Sequence, residues 1–242
     1  MSDETGIVLT YEYTTIYQDA CDSLTNRSCL TDPILEFSIQ FAIDQLPDAL
    51  KQQVSFIWPS LLFLLDGSVD EETSNSQLDS NNLKSFRLIL FPMCLPEEND
   101  QTSGDHWSLL LFCKDQFIFD STVPFAPAKS PSFPCFCHLD SVGRSHAAIA
   151  SRVSKRLSAY FSGKDDSYPL YSLEVPQQTN GYDCGVYTIA FSEAILDAFR
   201  NRTNPTKATF SKITPTSITQ KRTQILDLIN SLSEAQKHTQ SK

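Results

Sequence analysis

After Cys184, large or aliphatic side chains fall at Val186, Tyr187, Ala190, Phe191, Ala194, Ile195 and Ala198. That spacing draws one wide apolar face and predicts a core helix beginning in the turn Gln177–Gly185. Ile149, Val153, Leu157, Tyr160 and Phe161, with Arg152, Lys155 and Arg156 on the outer side, predict an amphipathic helix that Gly163 ends. Asp32 as cap and Pro33 at the first helical position predict a helix that is apolar nearly all round from Ile34 to Ile43. Pro215 opens a last helix with Ile218, Ile225, Ile229 and Leu232 on one face. Strands are predicted at 86–91, closed by Pro92, at 107–113, at 116–120 and at 168–175. The runs 54–58 and 61–65 are too short to assign, and 8–28 has no clean period. Residues 121–138 hold Pro124, Pro127, Pro131 and Pro134 and read as irregular. The fold class is therefore α+β, a mixed sheet packed against helices.

Charge refines the organisation. The net charge is −10, and most of it lies in two polar stretches, 66–82 and 97–105, both read as mobile acidic loops. The second runs into His106, where it could steer a basic surface. No basic patch suggests nucleic acid. No run reaches the roughly 18–20 apolar residues that a membrane helix needs, and the acidic first residues do not resemble a signal peptide. Seven cysteines without framework spacing argue for a reducing compartment, cytoplasmic or nuclear. The expected layout is a disordered 1–7, one domain over 8–232, and a disordered tail over 233–242.

Chemistry concentrates at Cys184. In the first turn of a helix it meets unpaired backbone N–H groups and the positive end of the macrodipole, which favour a thiolate. Asp183 is the predicted N-cap. A thiolate nucleophile needs a base, and the base needs an orienter. His106, at the mouth of one predicted strand, and Asp120, at the end of the next, are the candidates. Pairing Cys113 with Gln116 would put Asp120 opposite Leu109, with His106 three residues further out on the other face. A regular hairpin does not join them, so His106 must lie outside the ladder or be turned by a bulge. The run Cys135-Phe136-Cys137-His138 lacks both a second ligand pair and the two-to-four-residue separation that zinc sites prefer. No metal or cofactor is predicted.

His106-Trp107-Ser108-Leu109-Leu110, then Asp120-Ser121, then Gln178-x-Asn180-x-Tyr182-Asp183-Cys184-Gly185-x-Tyr187 resembles the Ulp/sentrin-specific cysteine proteases, most closely the deneddylating members. Ile213–Arg222 and Cys29-Leu30-Thr31-Asp32 extend the likeness over about residues 8–232. The resemblance implies a papain-like architecture with the nucleophile at a helix N-terminus. It implies Cys184 as nucleophile, His106 as base and then acid, Asp120 as orienter, and Gln178 as side-chain donor to the oxyanion.

The same likeness implies cleavage after the C-terminal Gly-Gly of a ubiquitin-like modifier, both in precursors and in lysine-linked conjugates. The modifier of neddylation is the expected partner, SUMO the second, with the enzyme a monomer. Trp107 would roof a narrow channel for the glycines, and Asp32, Cys29 and Asn180 would line the modifier's path. The chain departs from the pattern where relatives carry a second clamping tryptophan: Cys29 stands there, and Thr31-Asp32-Pro33 replaces their Asn-Asp-His. A module that only holds the modifier is the alternative. An acetyltransferase on the same scaffold fits the cysteine motif less well.

Overall fold

The computed structural model describes residues 6–62, 65, 70–94, 106–115, 132–143, 145–163, 167–203 and 207–240. Five strands form one mixed sheet in the order β3 (Val54–Phe56), β4 (Leu88–Met93), β5 (Ser108–Cys113), β6 (Cys135–Leu139) and β7 (Leu170–Ser172). The β3–β4 and β6–β7 pairs are parallel, while β4–β5 and β5–β6 are antiparallel. A separate hairpin joins β1 (Ile7–Tyr11) to β2 (Thr14–Tyr17). The helices are α1 (Gln18–Thr25), α2 (Asp32–Asp44), α3 (Asp48–Lys51), α4 (Pro59–Leu62), α5 (Glu71–Ser80), α6 (Ala147–Ser162), α7 (Cys184–Asn201), α8 (Lys207–Ser211) and α9 (Pro215–Gln240). None of the described helices is long and apolar enough to cross a membrane.

The two-residue period of the strands sorts the interior into two cores. Leu88, Leu90, Leu109, Leu111, Cys135, Cys137 and Leu139 face the side that α2 and α7 cover. Ile89, Phe91, Met93, Leu110, Phe112 and Phe136 face α6. Every residue of β4, β5 and β6 is buried, because both faces are covered. The apolar positions read for α6 and α7 are the ones that meet the sheet.

Several elements differ from the sequence reading. Pro92 lies within β4, opposite Leu109, instead of closing it. β3 pairs no further than Leu90, so Pro92 has no β3 partner to deny a hydrogen bond. The stretch read as irregular up to His138 ends in strand β6, which begins directly after Pro134. The 66–82 acidic stretch contains helix α5: Asp70 Oδ1 caps it by accepting from the Thr73 N–H at 2.9 Å, and Glu71 and Glu72 favour the positive helix start. Of the tail read as disordered, 233–240 is the end of α9, where Ser233 Oγ donates to the Val8 carbonyl at 2.6 Å and Gln236 reaches Thr10, and 241–242 lie outside the described residues. Residue 7 belongs to β1, residues 8–28 fold as β1, β2 and α1, and the strand at 168–175 shortens to β7. The predicted strand at 116–120 and the acidic stretch 97–105 lie outside the described residues.

Candidate active site

Cys184 is the first residue of α7, and its side chain is 2% exposed. The turn before it is built by Asn180, whose Oδ1 accepts the backbone N–H groups of Tyr182 and Asp183 at 3.1 and 3.0 Å. That local bonding is why Asn-Gly reads as a turn. Asp183 occupies the N-cap position but makes no side-chain cap. Its carboxylate instead takes Arg222 Nε at 2.7 Å and Asn180 Nδ2 at 2.7 Å. Arg222 is itself buried and also donates to the carbonyls of Ser23, Ser28 and Tyr182. One side chain of α9 thus ties the nucleophile's turn to the segment that ends α1. The sequence showed Arg222 only as part of a motif; its partners are 39 and 199 residues away.

Gly185 lets that segment come close. A Cβ there would meet Leu30 Cβ at 3.0 Å and Leu35 Cδ1 at 3.1 Å. Leu30 is held in turn by Trp107, whose indole N–H donates to its carbonyl at 2.9 Å.

The carboxylate set against His106 is Asp140, with Oδ1 2.8 Å from Nε2. Asp120, the sequence candidate, lies outside the described residues. The register explains the pairing. β5 and β6 place Leu109 opposite Leu139, so one further step sets Asp140 opposite Ser108. His106 is two residues beyond Ser108 and on the same face, a diagonal within side-chain reach. No bulge is needed. Asp140 is further fixed by the backbone N–H of Val142 at 2.8 Å, that of His146 at 3.1 Å, and Ser145 Oγ at 3.2 Å. Burial works against its charge, but the bonds from His106, Val142 and His146 hold the carboxyl well below the usual range.

His106 also bonds Cys184, and with Nε2 taken by Asp140 the nitrogen left for the sulfur is Nδ1. Burial opposes the imidazolium, yet the bonds to Asp140 and Cys184 raise His106 to about 9. Two further imidazoles stand behind it. His146 meets the His106 ring edge-on at 4.5 Å, and Ser108 Oγ bridges His146 Nδ1 at 3.0 Å and His138 Nε2 at 3.1 Å. Burial, with the His106 charge second for His146, lowers both to about 4, so neither competes for the proton on His106.

Gln178 flanks the same corner. Its Oε1 accepts from Ser141 Oγ at 2.8 Å, its backbone N–H bonds the Ser141 carbonyl at 2.8 Å, and Nε2 donates to the Asn180 carbonyl at 2.7 Å. A carboxamide nitrogen carries two hydrogens, so one remains for a ligand. The dipeptide Asp140-Ser141 therefore positions His106 with one residue and Gln178 with the next. Asp-Ser recurs along the chain, and the useful signal was the apolar run 135–139 that ends at Asp140-Ser141.

Residues 28–230 match the Ulp1 protease family, C-terminal catalytic domain. The chain belongs to the Ulp1 protease family. It is a cysteine-type hydrolase of the α+β kind. The protease is 29% identical to human sentrin-specific protease 8 over 94% of this chain and 98% of that protein. It is 27% identical to NEDD8-specific protease 1 of Arabidopsis thaliana, covering 93% of each. In fold it resembles the yeast Ulp1 protease domain solved in complex with Smt3, with a TM-score of 0.64 at 17% identity over 96% of this chain and 90% of that one.

The residues expected to touch the modifier divide. Trp107 is 1% exposed with its indole N–H bonded to Leu30, so in this structure it presents no open roof; it braces the segment beside Cys184. Cys29 is partly exposed, its sulfur 3.8 Å from the Gly181 carbonyl, against the nucleophile's turn. Asp32 is exposed as the first residue of α2, one position after Thr31, which occupies the N-cap position. The polar atoms of Asn180 serve its own turn.

Proposed function

We propose that the protease cleaves after the C-terminal glycine of a ubiquitin-like modifier, with that of neddylation preferred and SUMO second, acting as a monomer. Its seven cysteines, all among the described residues, form no disulfide, which suits the cytoplasm or nucleus. The observation that carries the chemistry is His106 held between Asp140 and Cys184 at the start of α7. The modifier preference is supported by relatives named for NEDD8 or as sentrin-specific protease 8, which are matched along most of their length.

In this reading the Cys184 thiolate attacks the glycine carbonyl carbon. The oxyanion takes hydrogen bonds from Gln178 Nε2 and the Cys184 backbone N–H, the arrangement that supplies much of such rate enhancements. His106, kept protonated by Asp140, gives its proton to the leaving amine as the C–N bond breaks and the thioester forms. His106 then takes a proton from water, which attacks the thioester and frees the modifier's carboxylate and the thiol. Asp140 keeps the imidazole in the tautomer that presents Nδ1 to sulfur.

Vinyl sulfone probes built on the neddylation modifier, SUMO and ubiquitin test this. Covalent capture fastest with the neddylation probe, abolished in Cys184→Ala, is the expected result. Preferential capture by SUMO would reassign the modifier, and binding of all probes without capture would favour a module that only holds it.

A further inference from the structure

Three cysteines gather at the far end of the hairpin that carries the catalytic pair. Cys113 is the last residue of β5 and Cys135 the first of β6, and the two are direct register partners. Cys137, two residues on, points to the same face. Their sulfurs all lie within 4.8 Å of one another, and the residues are 0%, 0% and 1% exposed. All three are free thiols. An equilateral triangle of that side has its centre about 2.8 Å from each sulfur, so a contraction of roughly half an ångström reaches the ~2.3 Å metal–thiolate distance.

We propose that Cys113, Cys135 and Cys137 form a three-sulfur site for a soft monovalent cation of the copper(I) class.

The chemistry of the pocket selects that class. Thiol and thiolate ligands favour soft ions over magnesium, calcium or manganese. Structural zinc takes four ligands, and among the described residues no further His, Cys, Asp or Glu joins this group. The surrounding face is apolar, with Leu109, Leu111 and Leu139 on the same side, so a complex with net charge is costly there. One copper(I) replacing one proton, with two neutral thiols completing the coordination, leaves the site uncharged and transfers no electron. In the sequence, Cys135-x-Cys137 lacked a partner; the register of β5 supplies it. From the thiols to His106 is about seven strand steps, roughly 20 Å, so the ion would pin the two strands without touching the reaction.

The test uses the full chain in its Cys184→Ser form, to remove the nucleophilic thiol, titrated anaerobically with copper(I) against bathocuproine disulfonate. The expected result is one tightly held ion per chain with a three-sulfur shell in X-ray absorption. Cys135→Ser or Cys137→Ser should weaken it by more than about tenfold, at least the loss that second-shell changes bring to metal sites. Cys29→Ser and Cys94→Ser should leave it unchanged. Should the core variants fold poorly, a second measurement on the otherwise unsubstituted chain decides: copper(I) raises its melting temperature in one-to-one proportion. Equal affinity in the parent and the cluster variants, a shell of nitrogen or oxygen, or no rise in melting temperature would overturn the proposal.

Discussion

Asp140 Oδ1 stands 2.8 Å from His106 Nε2, on strands whose register alone makes the meeting geometric. Two backbone N–H groups and a hydroxyl fix the carboxylate from the other side, so the imidazole is aimed before any substrate arrives. Asp140→Asn should therefore lower kcat by about 10²–10⁴, in the range known for loss of a triad carboxylate, while Asp120→Asn leaves it near that of the parent. Steady-state kinetics on a modifier fused to a fluorogenic amine separates the two. The reverse pattern would return the role to Asp120.

His106 is held up to about 9, and the imidazolium is the acid that protonates the leaving amine. kcat/KM should fall on the alkaline side with a midpoint near that value, and Asp140→Asn should move the limb to lower pH by removing the carboxylate. The same shift has a stability sign. Because the folded value lies above the ordinary 6.5, the stabilisation is complete below pH 6.5 and is lost as pH rises through about 9. Melting temperature measured across that window should decline in the parent and less so in Asp140→Asn.

Gln178 is oriented by Ser141 and keeps one amide hydrogen for the developing oxyanion. Gln178→Ala should cost about 2.7–4 kcal/mol of transition-state stabilisation, a 10²–10³-fold fall in kcat with little change in modifier affinity. Ser141→Ala, which only loosens the amide, should lose less. A Gln178→Ala enzyme of parental kcat would place the oxyanion elsewhere.

Arg222 and Asp183 form a buried ion pair, each 5% exposed. Arg222→Met leaves the carboxylate buried beside Asn180 alone and should destabilise by about 3–5 kcal/mol in chemical denaturation. Adding Asp183→Asn removes the stranded charge and should restore part of that loss. A fully additive double variant would mean that the two side chains do not act as a pair.

Gly185→Ala would drive a Cβ against the stem of Leu30, which Trp107 holds by its carbonyl. Overpacking of this kind costs about 1–3 kcal/mol, more than the roughly 0.5–1 kcal/mol that alanine otherwise gains over glycine in a helix. The melting temperature should fall by several degrees. A rise would show that the Leu30 segment gives way freely.

Cys184 at the head of a core helix, the helix faces of α6 and α7, and the strand that follows His106 were all legible in the sequence. Each is decided by side chains within one or two turns or along one strand: a turn dipeptide, a repeating apolar spacing, an alternation. The pairing of strands is not local. β5 had two following segments that ended in Asp-Ser, and the intervening prolines hid the nearer half of β6. Only the folded register, which hydrogen bonding and two-sided burial enforce together, brought Asp140 to His106 and Cys113 to Cys135. Trp107, Gly185 and Arg222 were likewise visible as letters. Their tasks of bracing, yielding space and neutralising a carboxylate came from partners 39 to 199 residues distant, where the chain's own order carries no distance information.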